Sequence, residues 1–480
     1  MSNRTCQSIG CILESLLLRL FLGLFLIASV SHPLLAAEIA DHFPDEVWDH
    51  ADAAALGWSA DRLAEARKWS EVIGSSAVMV IQHGVVVAEW GDTQKRMELA
   101  SVRKSLLSAL IGNAVARKQI DLATPIGELG IDDNAPSLTP EEKSASVGDL
   151  LKARSGIYHS ALYEDPSMAA QRPARGSHLP GTFWYYNNWD FNALGAIYLQ
   201  QTGSSVFDAL DREIAKPIGM QDYRPADGVY FTGAASVYPA YPIRMSTRDL
   251  ARFALLYLHD GRWEDRQIVP AQWVHDSVKA YSRSDDGPGY GYLWWTDFLD
   301  PASPATPVHL PEGTFFAEGA AGQFAMVIPA FDMVIVHRVD RDIANYKTVN
   351  SLKFGRLLWL ILSAAHQPAI GPDLSLQRAK GARLDDVALA SNLQNATFES
   401  LPIQASGVTT VHIDAGSHYT FSGGYTASGT WEIKDGCYCR TSELEHDRRC
   451  FSVVADGDVL RFYDQLGLLQ FEWRRMPTEP

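Results

Sequence analysis

Residues 101–114 read SVRKSLLSALIGNA, so a serine and a lysine stand three residues apart at the start of an apolar segment. From Leu107 to Ala114 the apolar residues recur at the i, i+3, i+4 and i+7 spacing of a buried helical stripe. Residues i and i+3 share one face of a helix, so the Lys104 ammonium can reach the Ser101 hydroxyl. The helix dipole would stabilise an alkoxide there. The stretch predicts a nucleophilic serine with lysine as its base, if burial and neighbouring cations keep the lysine neutral.

The same four residues also have a plainer interpretation. A serine N-cap followed by an exposed lysine occurs in many ordinary helices. The order of the neighbouring elements favours the catalytic interpretation. Residues 77–80 and 85–88 are β-rich runs joined around His83 and Gly84, which predicts a hairpin ahead of the serine.

Two further β-rich runs lie late in the chain. Residues 324–328 and 333–337 are separated by a turn at residues 329–332, and helical periodicity follows over residues 346–363. We expect the early and late strands to share one antiparallel sheet. Between them, residues 122–288 mix helices with loops rich in proline and glycine, which indicates a helical insertion.

The composition is that of an ordinary globular enzyme. The 480 residues are 46% hydrophobic, which is enough for one large domain and a smaller one. The formal net charge of −16 comes from 57 acidic and 41 basic residues, without a basic run that could follow a phosphate backbone. Nucleic acid is therefore not expected as a partner. The chain has no Gly-x-Ser-x-Gly, His-Glu-x-x-His or phosphate-binding glycine motif, and no metal or other cofactor is expected.

The first 37 residues have the layout of a secretory signal peptide. Arg4 and Arg19 precede an apolar run at residues 20–30, and small residues follow up to Ala37. We expect cleavage near Ala37 and an exported protein, either periplasmic or secreted. The alternative is an uncleaved anchor, which alone would tie the protein to a membrane, but the run is short for a bilayer core of ~30 Å.

The composition also divides the rest of the chain. We expect a catalytic domain at residues 45–365, a linker at residues 366–394 and a small β-rich domain at residues 395–480. Short alternating runs and Asp-Gly turn pairs mark the last domain. Its expected core residues are Trp431, Ile433, Phe451, Val453, Leu460, Phe462, Phe471 and Trp473.

Three of the five cysteines would remain after the predicted cleavage. In an oxidising compartment Cys450 can pair with Cys437 or with Cys439, which leaves one thiol over. A zinc site needs more ligands than this cluster offers.

Several stretches resemble the superfamily of serine β-lactamases and penicillin-binding proteins. They are the Ser-x-x-Lys stretch at residues 101–105, the string PGTFWYYNNWDFNALG at residues 180–195, and residues 246–253 and 290–295. Within the superfamily the chain is most similar to class C β-lactamase-related esterases and 6-aminohexanoate-dimer hydrolases. The resemblance spans roughly residues 58–364. It implies an α/β (α+β) fold with an antiparallel sheet flanked by helices and a helical insertion, to which the C-terminal all-β domain is added.

The second motif of the superfamily, Tyr-x-Asn, is matched by Tyr186 and Asn188. A phenol near the serine can relay its proton and protonate the leaving group when adjacent cations stabilise the phenolate. The resemblance implies this catalytic role for Tyr186 and a substrate-binding role for Asn188, with Trp184 in an apolar wall of the pocket. Tyr185 also fits the pattern, and packing in an aromatic core is the alternative role of these rings.

The third motif normally reads Lys or His, then Thr or Ser, then Gly. Residues 317–323 here read AEGAAGQ, so that Gly319 is retained and the basic residue is not. The resemblance implies an oxyanion hole made by the backbone N–H groups of Ser101 and Ala320. It also makes Gly319 and Gln323 candidate contacts of the substrate.

The missing basic residue bears on the substrate, because in the superfamily it helps to hold the carboxylate of penicillins and peptide termini. Glu318 could repel anionic substrates, or it could simply face solvent, as lone charged residues usually do. Another cation, Arg103 or His309, could replace the lost charge.

Together these patterns predict a serine hydrolase that cleaves a carboxylic ester or a linear amide through an acyl-enzyme on Ser101. One alternative is a β-lactamase or D-peptidase acting on penicillin-like or peptidoglycan-like substrates. Another is a catalytically silent relative that binds through the same cleft. For an enzyme, the expected partner is a small ester, amide or lactam.

Overall fold

The computed structural model describes most of the chain beyond the predicted signal peptide. The described residues are 41–283, 288–298, 308–366, 379–401, 409–423, 427–443, 448–464, 467 and 469–477. The predicted signal peptide at residues 1–37 lies outside them, as do residues 367–378 of the predicted linker. The chain from His42 onwards forms one compact unit.

Helices and short strands alternate up to residue 364, and strands dominate after it. The α-helices of the described residues are α1 (Ala60–Ile73), α2 (Arg103–Ala116), α3 (Pro140–Lys143), α4 (Val147–Leu151), α5 (Pro166–Gln171), α6 (Asn188–Thr202), α7 (Val206–Leu210), α8 (Thr247–Leu258), α9 (Ala271–Ser277), α10 (Ser351–Ala364) and α11 (Asp386–Leu393). None of these described helices has both the length and the hydropathy needed to cross a membrane.

The strands fall into a main sheet, three small two-stranded pairs and a C-terminal group. In the same residues they are β1 (Ala77–Gln82), β2 (Val85–Gly91), β3 (Met97–Glu98), β4 (Phe231–Gly233), β5 (Ser236–Ala240), β6 (Arg244–Met245), β7 (Arg262–Trp263), β8 (Arg266–Gln267), β9 (Ser282–Arg283), β10 (Gly289–Tyr290), β11 (Trp295–Thr296), β12 (Phe315–Gly319), β13 (Gln323–Ile328), β14 (Met333–Arg338), β15 (Ala382–Arg383), β16 (Ala396–Leu401), β17 (Thr409–Ile413), β18 (His418–Gly423), β19 (Ala427–Lys434), β20 (Cys437–Ser442), β21 (Arg448–Asp456), β22 (Val459–Tyr463) and β23 (Leu469–Arg475).

The main sheet is antiparallel and has the strand order β2-β1-β14-β13-β12-β11-β10-β9. The predicted early hairpin is confirmed as β1 and β2, and the predicted late pair as β13 and β14. Strand β1 lies beside β14, with Ala77 opposite Arg338 and Gln82 opposite Met333. Early and late segments therefore share one sheet, as predicted. Strands β1, β13 and β14 are buried at every residue because both faces of the sheet are covered.

The two faces of this sheet fill two separate cores. Side chains alternate between the faces of a strand, so Met79 of β1 shares one core with Leu106 of α2. Its neighbour Val78 shares the other core with Leu357 of α10. Helix α2 is buried from Arg103 to Ala114.

N-cap residues determine where several helices begin. The side chain of Ser246 accepts a hydrogen bond from the N–H of Asp249 at the start of α8. Helix α10 begins at Ser351 rather than at residue 346, because Asn350 takes the N-cap position. The apolar periodicity alone placed that start too early.

The C-terminal strands β16 to β23 form a closed antiparallel barrel of eight strands, which confirms the all-β fold predicted for this region. The barrel closes because β22 pairs with β21 as well as with β23. Side chains just fill the interior of a barrel of this size. Its buried core includes the predicted residues Trp431, Phe451, Val453, Leu460, Phe462 and Trp473, with Ile433 and Phe471 partly buried against them.

The prediction of a linker at residues 366–394 is wrong for its second part. Residues 382–393 contain β15 and α11, and strand β15 pairs with β21 of the barrel. Leu384, Leu389 and Leu393 belong to the barrel core. These elements are too short to give a clear period in the sequence, and their leucines become buried only against the finished barrel.

A disulfide joins neighbouring strands of the barrel. Cys439 of β20 stands opposite Cys450 of β21 and is bonded to it, with a Cα–Cα distance of 4.0 Å. Cys437 is not part of a disulfide, and its Sγ lies 4.0 Å from Ser452 Oγ. Of the two pairings that the sequence leaves open, the strand register therefore selects Cys439 with Cys450.

Candidate active site

Ser101 lies on a tight turn that leads into α2. It is the middle residue of the 3₁₀ turn Ala100–Val102, and α2 follows at once. Ala100 has a φ of 47°, a left-handed conformation that costs an L residue about 1 to 2 kcal/mol. No side chain caps this turn or α2, so the plain interpretation of Ser101 as an N-cap is wrong.

Lys104 joins the two hydroxyl groups predicted for the site. Its Nζ donates hydrogen bonds to Ser101 Oγ at 2.8 Å and to Tyr186 OH at 2.6 Å. The Lys104 side chain is 1% exposed and lies 4.6 Å from the ring centre of Phe191. Burial, and after it the charge of Arg103, hold the pKa of Lys104 well below its ordinary value of 10.5. A lysine in this state is able to take a proton from Ser101.

Tyr186 presents a protonated phenol to Lys104. Burial raises the pKa of Tyr186, while the Ser101 hydroxyl and the Arg103 charge act in the opposite direction. Its ring stacks on Trp295 with centroids 5.3 Å apart. The phenol is therefore held in place and keeps a proton that it can pass to a leaving group.

Of the two tyrosines that fit the second motif, the structure brings only Tyr186 to the lysine. The hydroxyl of Tyr185 donates instead to the carbonyl of Met168, at 2.7 Å. The difference arises because consecutive residues in an extended segment point in opposite directions.

The end of β12 lies against the backbone of Ser101. A Cβ at Gly319 would stand 2.5 Å from the carbonyl oxygen of Leu99 and 2.9 Å from Ser101 N. Only glycine fits this close approach. No acceptor within the described ranges takes a hydrogen bond from the backbone N–H of Ser101 or of Ala320, which follows Gly319. Both groups are thus available to an oxyanion.

Hydrogen bonds from residues outside it hold the turn that carries Ala320. Ala321 and Gly322 have positive φ values of 71° and 104°. The carbonyl of Ala321 accepts from Val349 N at 3.1 Å, and the carbonyl of Gly322 accepts from His337 Nδ1 at 2.7 Å. These bonds fix a strained turn next to the candidate nucleophile.

The two residues before Gly319 face opposite sides of the sheet. Ala317 is 1% exposed and shares the core of α2, the side to which a Cβ at Gly319 would point. Glu318 points to the other side, where Ser351 lowers its pKa against a larger rise from burial, to about 7. Glu318 is partly buried, so the expectation that it faces solvent is wrong, and it does not face the Ser101 side.

The predicted substrate contacts have different surroundings. Trp184 is partly buried, with its ring centre 6.0 Å from that of Trp295. Asn188 donates from Nδ2 to Tyr163 O at 2.6 Å, and its Oδ1 has no donor among the described residues. Gln323 does not contact the site surface. Its side chain is fully buried, where it donates a hydrogen bond to Val339 O and accepts one from Arg338 at the end of the neighbouring strand β14.

Sequence reasoning missed one ring of the aromatic cluster around Tyr186, the buried Tyr290. Tyr290 contacts Tyr186 edge-on with centroids 5.8 Å apart and meets Trp295 at 4.8 Å. Trp294, the neighbour of Trp295 in sequence, is fully buried against Phe315. The sequence of residues 290–295, Tyr-Gly-Tyr-Leu-Trp-Trp, shows that aromatic residues are concentrated here. The backbone conformation of this turn decides which of the rings lie near the site.

The comparisons with known proteins agree with this fold. A β-lactamase-like sheet packed against α2, with Ser101 on the turn before this helix and Lys104 in its first turn, is the arrangement of the serine β-lactamase and penicillin-binding-protein superfamily. The family model described as Beta-lactamase matches residues 60–343, more than half of the chain, and the chain belongs to this family.

Individual relatives are distant. An uncharacterized protein of Alkalihalophilus pseudofirmus is 23% identical over 304 residues, covering 56% of this chain and 85% of the relative. A Bacillus anthracis protein provisionally named 6-aminohexanoate-dimer hydrolase has 20% identity and a TM-score of 0.49, covering 68% of this chain and 91% of that one. A β-lactamase from Mycobacterium bovis has 23% identity and a TM-score of 0.46, covering 63% and 99%.

Proposed function

We propose that this protein is a serine hydrolase that cleaves a carboxylic ester or a linear amide through an acyl-enzyme on Ser101. The observation that carries the proposal is the pair of hydrogen bonds from Lys104 Nζ to Ser101 Oγ and Tyr186 OH, at 2.8 and 2.6 Å. A buried lysine with a lowered pKa, in contact with a hydroxyl, is the arrangement that activates a serine nucleophile.

In the first half of the reaction, Ser101 Oγ attacks the carbonyl carbon and Lys104 takes its proton. The negative charge moves to the carbonyl oxygen, which the N–H groups of Ser101 and Ala320 receive. Each such donor contributes on the order of a hundredfold or more to the rate. When the acyl–oxygen or acyl–nitrogen bond breaks, Tyr186 gives its proton to the leaving group and regains one from Lys104.

In the second half, water replaces the leaving group. Lys104 and Tyr186 take a proton from the attacking water, the same oxyanion forms again, and Ser101 leaves with its proton restored. The two halves use the same groups because ester formation and ester hydrolysis are the reverse of one another in their proton transfers.

The Ser101 side of β12 supports the proposed substrate class. Ala317 occupies the place where the superfamily carries a basic residue, so no ammonium or imidazole from this strand is available for a substrate carboxylate. The ring of Trp295 stacks on Tyr186 and that of Trp184 lies beside Trp295, both partly exposed, while the buried ring of Tyr290 packs against both. These features favour a neutral substrate with an apolar acyl or leaving group over penicillins.

A fluorophosphonate probe, p-nitrophenyl butyrate and the β-lactam nitrocefin test the proposal on the purified mature protein. We expect labelling at Ser101, ester turnover and little nitrocefin turnover, with all three abolished in Ser101→Ala. Rapid nitrocefin hydrolysis would point to a β-lactamase instead. Absence of labelling in a folded protein would leave a binding role.

A further inference from the structure

Arg103 is a buried cation next in sequence to Lys104, and no carboxylate among the described residues forms a hydrogen bond with it. Its side chain is 1% exposed. Nη1 donates a hydrogen bond to the carbonyl of Ala100 at 2.7 Å. Nε and Nη2 have no acceptor within the part of the chain that the structure describes. The positive charge is therefore not cancelled by a hydrogen-bonded carboxylate among those residues.

Two tyrosine rings hold the guanidinium in place. The Cζ atom of Arg103 lies 5.0 Å from the ring centre of Tyr163 and 5.1 Å from that of Tyr241. The face of an aromatic ring attracts a cation without removing its charge. Aromatic contacts thus fix the side chain and leave its field intact, whereas an ion pair would have weakened it.

We propose that Arg103 is a positioning residue for acyl transfer on Ser101, acting through Ala100 and Lys104. Its hydrogen bond holds Ala100 in the left-handed conformation that directs Ser101 out of the turn. Its charge disfavours a second positive charge on Lys104 and so keeps that lysine a neutral base. The inference rests on the proposed function.

Burial and two charged groups influence the protonation of Lys104. Burial lowers the pKa of Lys104 most, Arg103 lowers it further, and Asp165 at the start of α5 raises it. Across the site, Arg103 lowers and Glu318 raises the pKa of Tyr186. Arg103 is the positive charge in this set. Its removal therefore favours protonated Lys104 and moves the acidic limb of the activity profile to higher pH.

A purely structural role and a positioning role for Arg103 predict opposite effects of its replacement on the melting temperature. A buried guanidinium with unpartnered N–H groups is destabilising compared with an apolar side chain of similar volume that packs well. Arg103→Met should therefore melt at a temperature no lower than the wild type. An arginine that served only to hold the fold together would lower the melting temperature when replaced.

The test compares Arg103→Met and Arg103→Lys with wild type in pH profiles of kcat/KM for p-nitrophenyl butyrate, together with melting temperatures. For Arg103→Met we expect at least a tenfold loss of kcat on the alkaline plateau, a smaller change in KM, and an acidic limb at higher pH. Arg103→Lys keeps the charge, so its limb should stay at the wild-type pH while kcat falls because the bond to Ala100 is lost. Arg117→Met, which removes a charge beyond the other end of α2, is the matched control and should leave the limb in place.

An unmoved acidic limb in Arg103→Met, with activity lost in Ser101→Ala, would overturn this inference and leave the proposed function intact. A lowered melting temperature with an unmoved limb would assign Arg103 a purely structural role and overturn it as well. Full activity in Ser101→Ala would instead overturn the proposed function itself.

Discussion

Gly319 and Ser101 are in backbone contact across the site. A Cβ added at Gly319 would approach Ser101 N to 2.9 Å and Leu99 O to 2.5 Å. Both of these neighbours are main-chain atoms, which cannot turn aside as a flexible side chain can. The contact sets the end of β12, and with it the residue Ala320 that follows Gly319, against the turn that carries Ser101.

The contact makes Gly319→Ala a test of the oxyanion hole. The methyl group must push β12 away from Ser101 and so displace the Ala320 donor, and we expect kcat to fall on the order of a hundredfold or more. KM should change much less, because the donor acts mainly on the charge that develops in the reaction. Gly416→Ala is the control, since a Cβ there meets only ordinary contacts of 3.6 Å or more. An unchanged kcat in Gly319→Ala would remove this strand end from the mechanism.

Lys104→Arg tests whether Lys104 acts as a base. Arginine keeps the positive charge and part of the length, but it cannot lose its proton near neutral pH. We expect kcat to fall by about a hundredfold to ten-thousandfold, the usual contribution of a general base. In the wild type, kcat/KM should rise with pH through a value well below 10.5, because only neutral Lys104 accepts the proton. Retention of activity in Lys104→Arg would assign the proton transfer to another group.

Ala317→Lys tests the origin of substrate preference. A lysine on the Ser101 side of β12 would offer an ammonium to a substrate carboxylate, and a charge-assisted hydrogen bond of this kind gives a factor of roughly ten or more. We expect the ratio of nitrocefin turnover to p-nitrophenyl butyrate turnover to rise accordingly. Glu318→Lys adds the same group on the opposite side of the strand and serves as the matched control. A larger rise in the control than in Ala317→Lys would show that the two faces were assigned the wrong way round.

His337 and Glu318 should affect the free energy of unfolding with opposite dependences on pH. His337 donates from Nδ1 to Gly322 O and accepts from Ser75 Oγ at Nε2, and burial lowers its pKa from 6.5 to about 4. The unfolded chain therefore binds more protons, and this contribution to stability is lost as the pH falls from 6.5 to 4, by at most about 3 kcal/mol. Burial raises the pKa of Glu318 from 4.5 to about 7, so protonated Glu318 stabilises the folded state at low pH. This contribution to stability is lost as the pH rises from 4.5 to about 7.

Urea unfolding of His337→Gln and Glu318→Gln over this pH range separates the two effects. We expect stability to depend less steeply on acid in His337→Gln and more steeply in Glu318→Gln than in the wild type. Equal slopes in all three proteins would contradict the buried neutral state of His337.

The barrel disulfide should contribute to stability without affecting catalysis. Cys439 and Cys450 are 11 residues apart in sequence, and closing a loop of this length stabilises the folded state by about 2 to 3 kcal/mol through the entropy of the unfolded chain. We expect the double variant Cys439→Ser, Cys450→Ser to lose that amount in chemical unfolding and to keep its kcat. Cys437→Ser is the control and should match the wild type. Equal loss in the control would indicate that Cys437 takes part in the pairing.

Much of the site could be predicted because its chemistry depends on short spacings. The three-residue step from Ser101 to Lys104 is a property of any helix, and the hairpins that become β1, β2, β13 and β14 follow from local alternation. The prediction for Gln323 was wrong because its position four residues after Gly319 does not determine which side of the sheet its side chain faces. Arg103 was noted only as a replacement charge, since nothing local indicates that Tyr163 and Tyr241 enclose it.

The sequence by itself determined the family, the Ser-x-x-Lys pair, the order of elements and the alternating core of the C-terminal barrel, because each depends on neighbours within a few residues. Only the tertiary structure decided which tyrosine meets Lys104, which cysteine pairs with Cys450, and where the charges of Arg103 and Glu318 lie. These depend on contacts between segments far apart in the chain, and such contacts are set by strand register and by the packing of both sheet faces.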